Sequence, residues 1–128
     1  MTTDDQTRAA ELDRARTTMN EAGASRLARR PWERTGQPPS DTDLVRFAAW
    51  SCRDAHGTDP SVVSAGLRLL SSARVELDQI EAGLLFAARG SGMTWPHIAE
   101  ALGLGSAQAA QQRLNRVLAR AGDLDAEN

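Results

Sequence analysis

Lysine and tyrosine are absent from this 128-residue chain, phenylalanine occurs twice and cysteine once. All 15 cationic side chains are therefore arginine. A GC-rich coding bias produces that pattern without a functional cause, although arginine is also the better residue for forked contacts with phosphate or guanine. The single Cys52 excludes an intramolecular disulfide and a cysteine-rich zinc quartet. Cys52 and His56 are spaced i, i+4, but with no third or fourth ligand nearby in sequence no metal site is expected. No apolar run approaches the ~20 residues of a membrane span. The acidic start, Met1 to Asp5, lacks the positive region of a secretion signal. The expected location is the cytoplasm, at the nucleoid, with no membrane partner.

Also missing are short alternations of Val, Ile and Thr that would mark strands. Ala, Leu and Arg dominate instead, which is helix-forming composition. The expected fold is all-α: a helical bundle with a C-terminal three-helix unit. Catalytic signatures are lacking too: no glycine loop follows a strand, no nucleophile elbow occurs, and no carboxylate pair sits among apolar residues. The chain reads as a non-enzyme that needs no cofactor.

Net charge is −2, which by itself disfavours a polyanionic partner. Its distribution is more informative. Residues 89–120 hold four Arg against one Glu, and residues 26–34 hold four Arg against Glu33. The end, 121–128, carries Asp123, Asp125 and Glu127. Two basic islands in an acidic chain make any electrostatic footprint local.

Along the chain, residues 4–28 carry a loose helical stripe of Leu12, Ala15, Met19 and Ala22, thin for a core helix. Three prolines and a glycine make residues 29–41 a linker. A helix is expected over 42–56, capped at Ser40 with Asp43 in the place of a capping-box Glu and ended by Gly57. Leu44, Val45, Ala48, Cys52 and Ala55 form its inner side, widened by Phe47 and Trp50. Asp59-Pro60 opens a long helix over 60–90. Its seam of Val63, Gly66, Leu70, Ala73, Leu77, Ile80, Leu84 and Ala87 suits packing against another helix, in the core or in a dimer. Ser71-Ser72 is a point where that helix could divide. The organisation expected is a partly flexible 1–40, a helical domain over 41–121 and an acidic tail over 122–128.

The informative segment starts at Thr94. Thr94 caps a short helix over 95–103 with Pro96 in its first turn; Ile98 and Leu102 face inward, and small Ala99 lets a second helix cross closely. Gly103 supplies a left-handed stop, Leu104 plugs the turn and Ser106 caps a helix over 106–121. This is the grammar of a helix-turn-helix, here over 94–120. Rotating about 100° per residue from Ala110 puts Ala121, Leu114 and Val117 within about 40°, and Ala107 at about 60°. Opposite lie Gln108, Gln112, Asn115 and Arg116, flanked by Gln111 and Arg113. Residues 101–122 contain no acid.

The segment resembles the helix-turn-helix of sigma factor region four and of response-regulator output domains. Their Ile-Ala-x-x-Leu-Gly run, then Ser, then Arg-Leu-x-Arg is matched by Ile98, Ala99, Leu102, Gly103, Ser106, Arg113, Leu114 and Arg116. Gly105 makes the turn one residue longer than theirs. The stretch from Leu77 to Leu118 also resembles short regulators of high-GC Gram-positive bacteria, with a Leu-Asp-x-Ile-Glu-Ala helix ahead of Gln-Ala-Ala-Gln-Gln-Arg. That resemblance covers about a third of the chain and implies a DNA-binding regulator.

On this reading Gln108, Gln111, Gln112 and Asn115 face base edges, while Arg113, Arg116 and Arg120 position on phosphates. Thr94, His97 and Ser106, and Arg29 and Arg30 in the linker, are further candidate phosphate contacts. The expected partner is double-stranded DNA, bound by a homodimer. The alternative is a protein-interaction module that uses the same helices on RNA polymerase, a sigma factor or another regulator.

Overall fold

The computed structural model describes residues 2–54 and 57–127, with backbone only over 121–127. Its helices are α1 (Thr3–Glu21), α2 (Asp41–Ser51), α3 (Pro60–Gly90), α4 (Trp95–Leu102) and α5 (Ala107–Glu127), with a 3₁₀ turn at Ala24–Arg26. The described residues contain no strand, so the chain is all-α. None of the helices is long and apolar enough to cross a membrane among those residues. Two compact units divide at Arg74/Val75, inside α3. The sequence put its boundary at 40/41, because the proline-rich linker is conspicuous and a boundary within one helix leaves no compositional mark.

The first unit is built around Met19 and Leu44, which are fully buried with Ala15, Ala24, Ala48, Val62, Ala65 and Leu69. The thin stripe of α1 is therefore a core face. Ala15 and Met19 fill it, while Ala22 is exposed and Ala24 takes the inner position. Small residues make this core possible. At Gly66 an added methyl would lie 2.7 Å from the Ala48 side chain, so α2 and α3 approach through a position that tolerates no side chain.

An ion pair joins the three segments of this unit. Arg16 in α1 donates through Nε and Nη2 to both oxygens of Asp41, at 2.8 Å each, and the Ser72 hydroxyl of α3 donates to the same carboxylate. Asp41 keeps only 8% of its side chain exposed. Burial alone would raise its pKa; the bonds from Arg16 and Ser72 and the arginine charge outweigh it and hold the carboxyl below its ordinary value. Those bonds also give Ser72 an inward role, and α3 runs through Ser71-Ser72 unbroken.

Helix α2 starts as expected, with Ser40 Oγ accepting from the Asp43 amide at 3.2 Å. The Asp43 carboxylate, however, receives Arg30 from the linker. The helix ends at Ser51, short of the expected Gly57. Ala55 and His56 lie outside the described residues, and with His56 so does the Cys52–His56 pair. Trp50 is 59% exposed and so does not widen the buried arc; Arg53 stacks over its ring at 4.3 Å.

The seam of α3 has two fates. Gly66 and Ala73 are buried and Val63 and Leu70 half-buried, but Leu77, Ile80, Leu84 and Ala87 are exposed. In this second half the inward residues are Ala82 and Leu85. The seam's periodicity identified an apolar stripe of the helix, while the packed side of 75–90 lies about 140° from it.

Two outcomes follow for the first unit. Gly66→Ala gains helix propensity yet forces α2 and α3 apart, with a net loss of about 1–2 kcal/mol in urea unfolding. Because the folded Asp41 pKa is depressed, its contribution is complete above the unfolded value of ~3.9 and is lost as pH falls through the folded one. Asp41→Ala should lower stability at neutral pH by about 3 kcal/mol and flatten the acid limb of the stability–pH curve. An unchanged acid limb would show that Asp41 is not held below its ordinary pKa.

Candidate nucleic-acid interface

The second unit comprises 75–90 of α3 with α4 and α5. Thr94 Oγ1 accepts from the His97 amide at 3.3 Å and caps α4, with Pro96 in the first turn where its missing N–H is harmless. Gly103 ends α4 at φ 72°, ψ 25°, the left-handed conformation that a side chain disfavours. The Leu104 amide then bonds to the Ala99 carbonyl at 2.8 Å, folding the chain back so that Leu104 packs on the core. Ser106 Oγ accepts from the Ala109 amide at 3.1 Å and starts α5.

This turn lets α4 and α5 cross on small side chains. Leu85, Ile98, Ala99 and Ala110 form the buried cluster, with Met93, Trp95, Leu102 and Leu114 packed against it. Ala110 and Val117 are fully buried and Ala107 and Leu114 half-buried, so the alanine and leucine side of α5 is the inner one. Ala121, the fifth residue of that stripe, lies where side chains are not described. Trp95 is half-buried against the cluster, with Arg89 over its ring at 5.0 Å and donating to the Met93 carbonyl.

On the opposite side of α5, Gln108, Gln111, Gln112, Asn115 and Arg116 are all exposed. Arg116 makes no ion pair with a described residue. His97 is exposed on α4, while Thr94 and Ser106 use their hydroxyls as helix caps. Among the described residues no three His, Cys, Asp or Glu side chains converge as metal ligands.

Two of the three helix arginines are engaged. Arg113 donates to both oxygens of Glu81 at 2.9 and 2.7 Å, and Arg120 to both oxygens of Asp78 at 2.8 and 3.0 Å. The bonds to Glu81, with its charge and that of Asp78, hold the Arg113 guanidinium above its ordinary pKa. Reading charge only within 89–120 missed both acids. The available signal was Asp78 and Glu81 at i, i+3 on the preceding helix. In the first unit, Arg30 pairs with Asp43 and Arg29 donates to Thr35 Oγ1 at 2.7 Å.

No known protein family, curated protein or solved structure matches the chain.

The left-handed Gly103 sets the turn, and nothing lies within 4 Å of where its Cβ would be. Gly103→Ala should therefore act through backbone conformation alone and lower stability by about 1–2 kcal/mol. Thermal unfolding of the variant checks this; an unchanged midpoint would mean that the turn is set elsewhere.

Proposed function

We propose that this chain binds double-stranded DNA through α4, the Gly103–Ser106 turn and α5, used as a helix-turn-helix with α5 in the major groove. The observation that carries the reading is the exposure of four amides and Arg116 together on one side of α5, opposite its buried alanine and valine. Glutamine and asparagine offer a donor and an acceptor side by side, the pattern that adenine's N6 and N7 complement. Acids are absent from 101–122, so no carboxylate on this face repels a phosphate. In this reading Arg116 positions the helix on the backbone, and Gln108, Gln111, Gln112 and Asn115 read base edges. His97 and the N-terminus of α5 at Ser106 lie where the turn would meet phosphates. The protein acts by occupancy, as a homodimeric transcriptional regulator or small nucleoid-associated protein of the kind its resemblance to short high-GC Gram-positive regulators implies.

The ion pairs of Arg113 and Arg120 favour a second reading, in which the helices engage RNA polymerase, a sigma factor or another regulator. Carboxylates already neutralise that flank, as suits a protein surface more than a phosphate ladder.

Salt separates the two. A DNA complex loses affinity log-linearly with salt, by about 0.9 in slope per phosphate neutralised. Arg116→Ala should weaken all sequences alike and reduce the slope by about 1; Gln112→Ala should instead lower discrimination by ~1–3 kcal/mol at one base pair. Glu81→Gln releases Arg113 and should steepen the slope by about 1. Insensitivity of DNA affinity to all three variants would remove α5 as the reading element and leave the protein-contact reading.

A further inference from the structure

The linker between α1 and α2 is an ordered loop that displays a bare indole. The Glu33 amide bonds to the Arg30 carbonyl at 3.0 Å, closing a turn with Pro31 second and Trp32 third. A second turn follows, in which the Gln37 amide bonds to the Arg34 carbonyl at 3.0 Å and Gln37 Oε1 accepts from the Arg34 amide. Side chains brace both turns: Arg30 forks onto Asp43 in α2, and Arg29 donates to Thr35 Oγ1. On this frame Trp32 is 79% exposed, more than any other large apolar side chain among the described residues. Trp50 and Trp95 each have a guanidinium over their rings, whereas no described ring or guanidinium covers Trp32. We infer that this loop binds single-stranded nucleic acid, with an unpaired base stacked on Trp32 and adjacent phosphates on Arg29 and Arg34.

The first support is order without burial. A scattered surface tryptophan calls for no explanation. Here two turns, a proline and the bonds of Arg29 and Arg30 fix the backbone beneath a ring that packs on nothing. The ordering cost of presenting that ring is met before any ligand arrives.

The second support is charge. Residues 26–34 hold four arginines against Glu33. Asp43 neutralises Arg30, and Arg26 folds back over Gly23, its Nη2 lying 3.1 Å from where a Cβ would stand there. Arg29 and Arg34, three and two residues from the ring, pair with no described carboxylate. Glu33 is half-buried and lines a cleft under the loop with Arg29, Gln37 and Pro39, which leaves Arg34 the freer of the two cations. An aromatic face between cations suits a polyanion that carries rings of its own.

Stacking also selects the strand state. Bases in a duplex cover one another's faces and leave edges in the grooves, whereas unpaired bases offer a face to an indole. The site lies in the first compact unit and does not rest on the reading of α5.

Anisotropy titrations of the full chain at low salt test the site, using labelled oligo(dT) and oligo(rU) of about 15 nucleotides beside a mixed-sequence duplex. The single strands should bind with a Kd below about 100 μM. Trp32→Ala should raise that Kd at least about tenfold with the helical circular dichroism retained, and Trp32→Phe, which keeps a ring face, should raise it far less. Arg34→Ala should reduce the salt slope by about 0.7. Trp50→Ala, where Arg53 already covers the ring, should leave single-strand binding unchanged. Binding of one oligomer alone supports the site and tells DNA from RNA as its ligand. A Kd above about 100 μM for both overturns the inference, as does binding that survives Trp32→Ala or that Trp50→Ala weakens equally. Loss of duplex affinity by the same factor in Trp32→Ala would overturn the choice of an unpaired base. A chain that binds only the duplex lacks this site and keeps the function proposed for α5.

Discussion

The second unit depends on two alanines. Ala99 and Ala110 are small enough for α4 and α5 to cross in contact, with Ile98 and Leu85 closing around them. A larger side chain at either place would separate the helices and rotate α5. Everything on the outer side of α5 is set by that contact, because a helix with one buried line has its opposite line fixed at 100° per residue. Gln108, Gln112 and Asn115 are outward because Ala110 and Val117 are inward. Gly103 makes the crossing possible by reversing the chain in a single left-handed step.

Around that apolar contact the ion pairs do directional work. The forked bonds of Arg113 to Glu81 and of Arg120 to Asp78 tie α5 to α3 along one flank. Pairs at or near the surface, as Arg120–Asp78 is and the part-buried Arg113–Glu81 nearly is, contribute little stability, at about 0–1 kcal/mol each. They do restrict the roll of α5, since a planar guanidinium meets a carboxylate in one orientation. In the first unit the Arg16–Asp41–Ser72 cluster is more deeply placed and draws together segments 25 and 31 residues apart in sequence.

Much of this was legible in the residues. The bounds of α3 and α4 and the start of α5 followed from Asp59-Pro60, Thr94, Gly103 and Ser106, because caps and left-handed glycines act locally. Helix α5 instead continues to Glu127 through the stretch expected as an acidic tail, where no proline breaks it. The inner line of α5 followed from rotation alone. What the sequence hid was tertiary. Whether a stripe such as Leu77, Ile80 and Leu84 is covered depends on which neighbour arrives, and periodicity is silent on that. The burial of Met19 likewise depended on Leu44 and Leu69, far along the chain. Charge summed over a window counted Arg113 and Arg120 as available, since their acids stood on another helix. The early end of α2 had no strong signal, as Gly57 was the visible stop.

The exclusive use of arginine has a consequence for that flank. A guanidinium keeps its proton at any pH a cell maintains, so a rise in pH cannot unlock Arg113 from Glu81 by discharging the base. What can unlock it is exchange: an incoming anion must displace a carboxylate that already fills both prongs of the fork. Weakly bound chloride offers one contact and is at a disadvantage, whereas an oxyanion with two oxygens at carboxylate spacing replaces the lost bonds in kind. Glu81 and Asp78 thus act as resident competitors, setting a threshold of shape as well as of charge for whatever reaches that edge of α5.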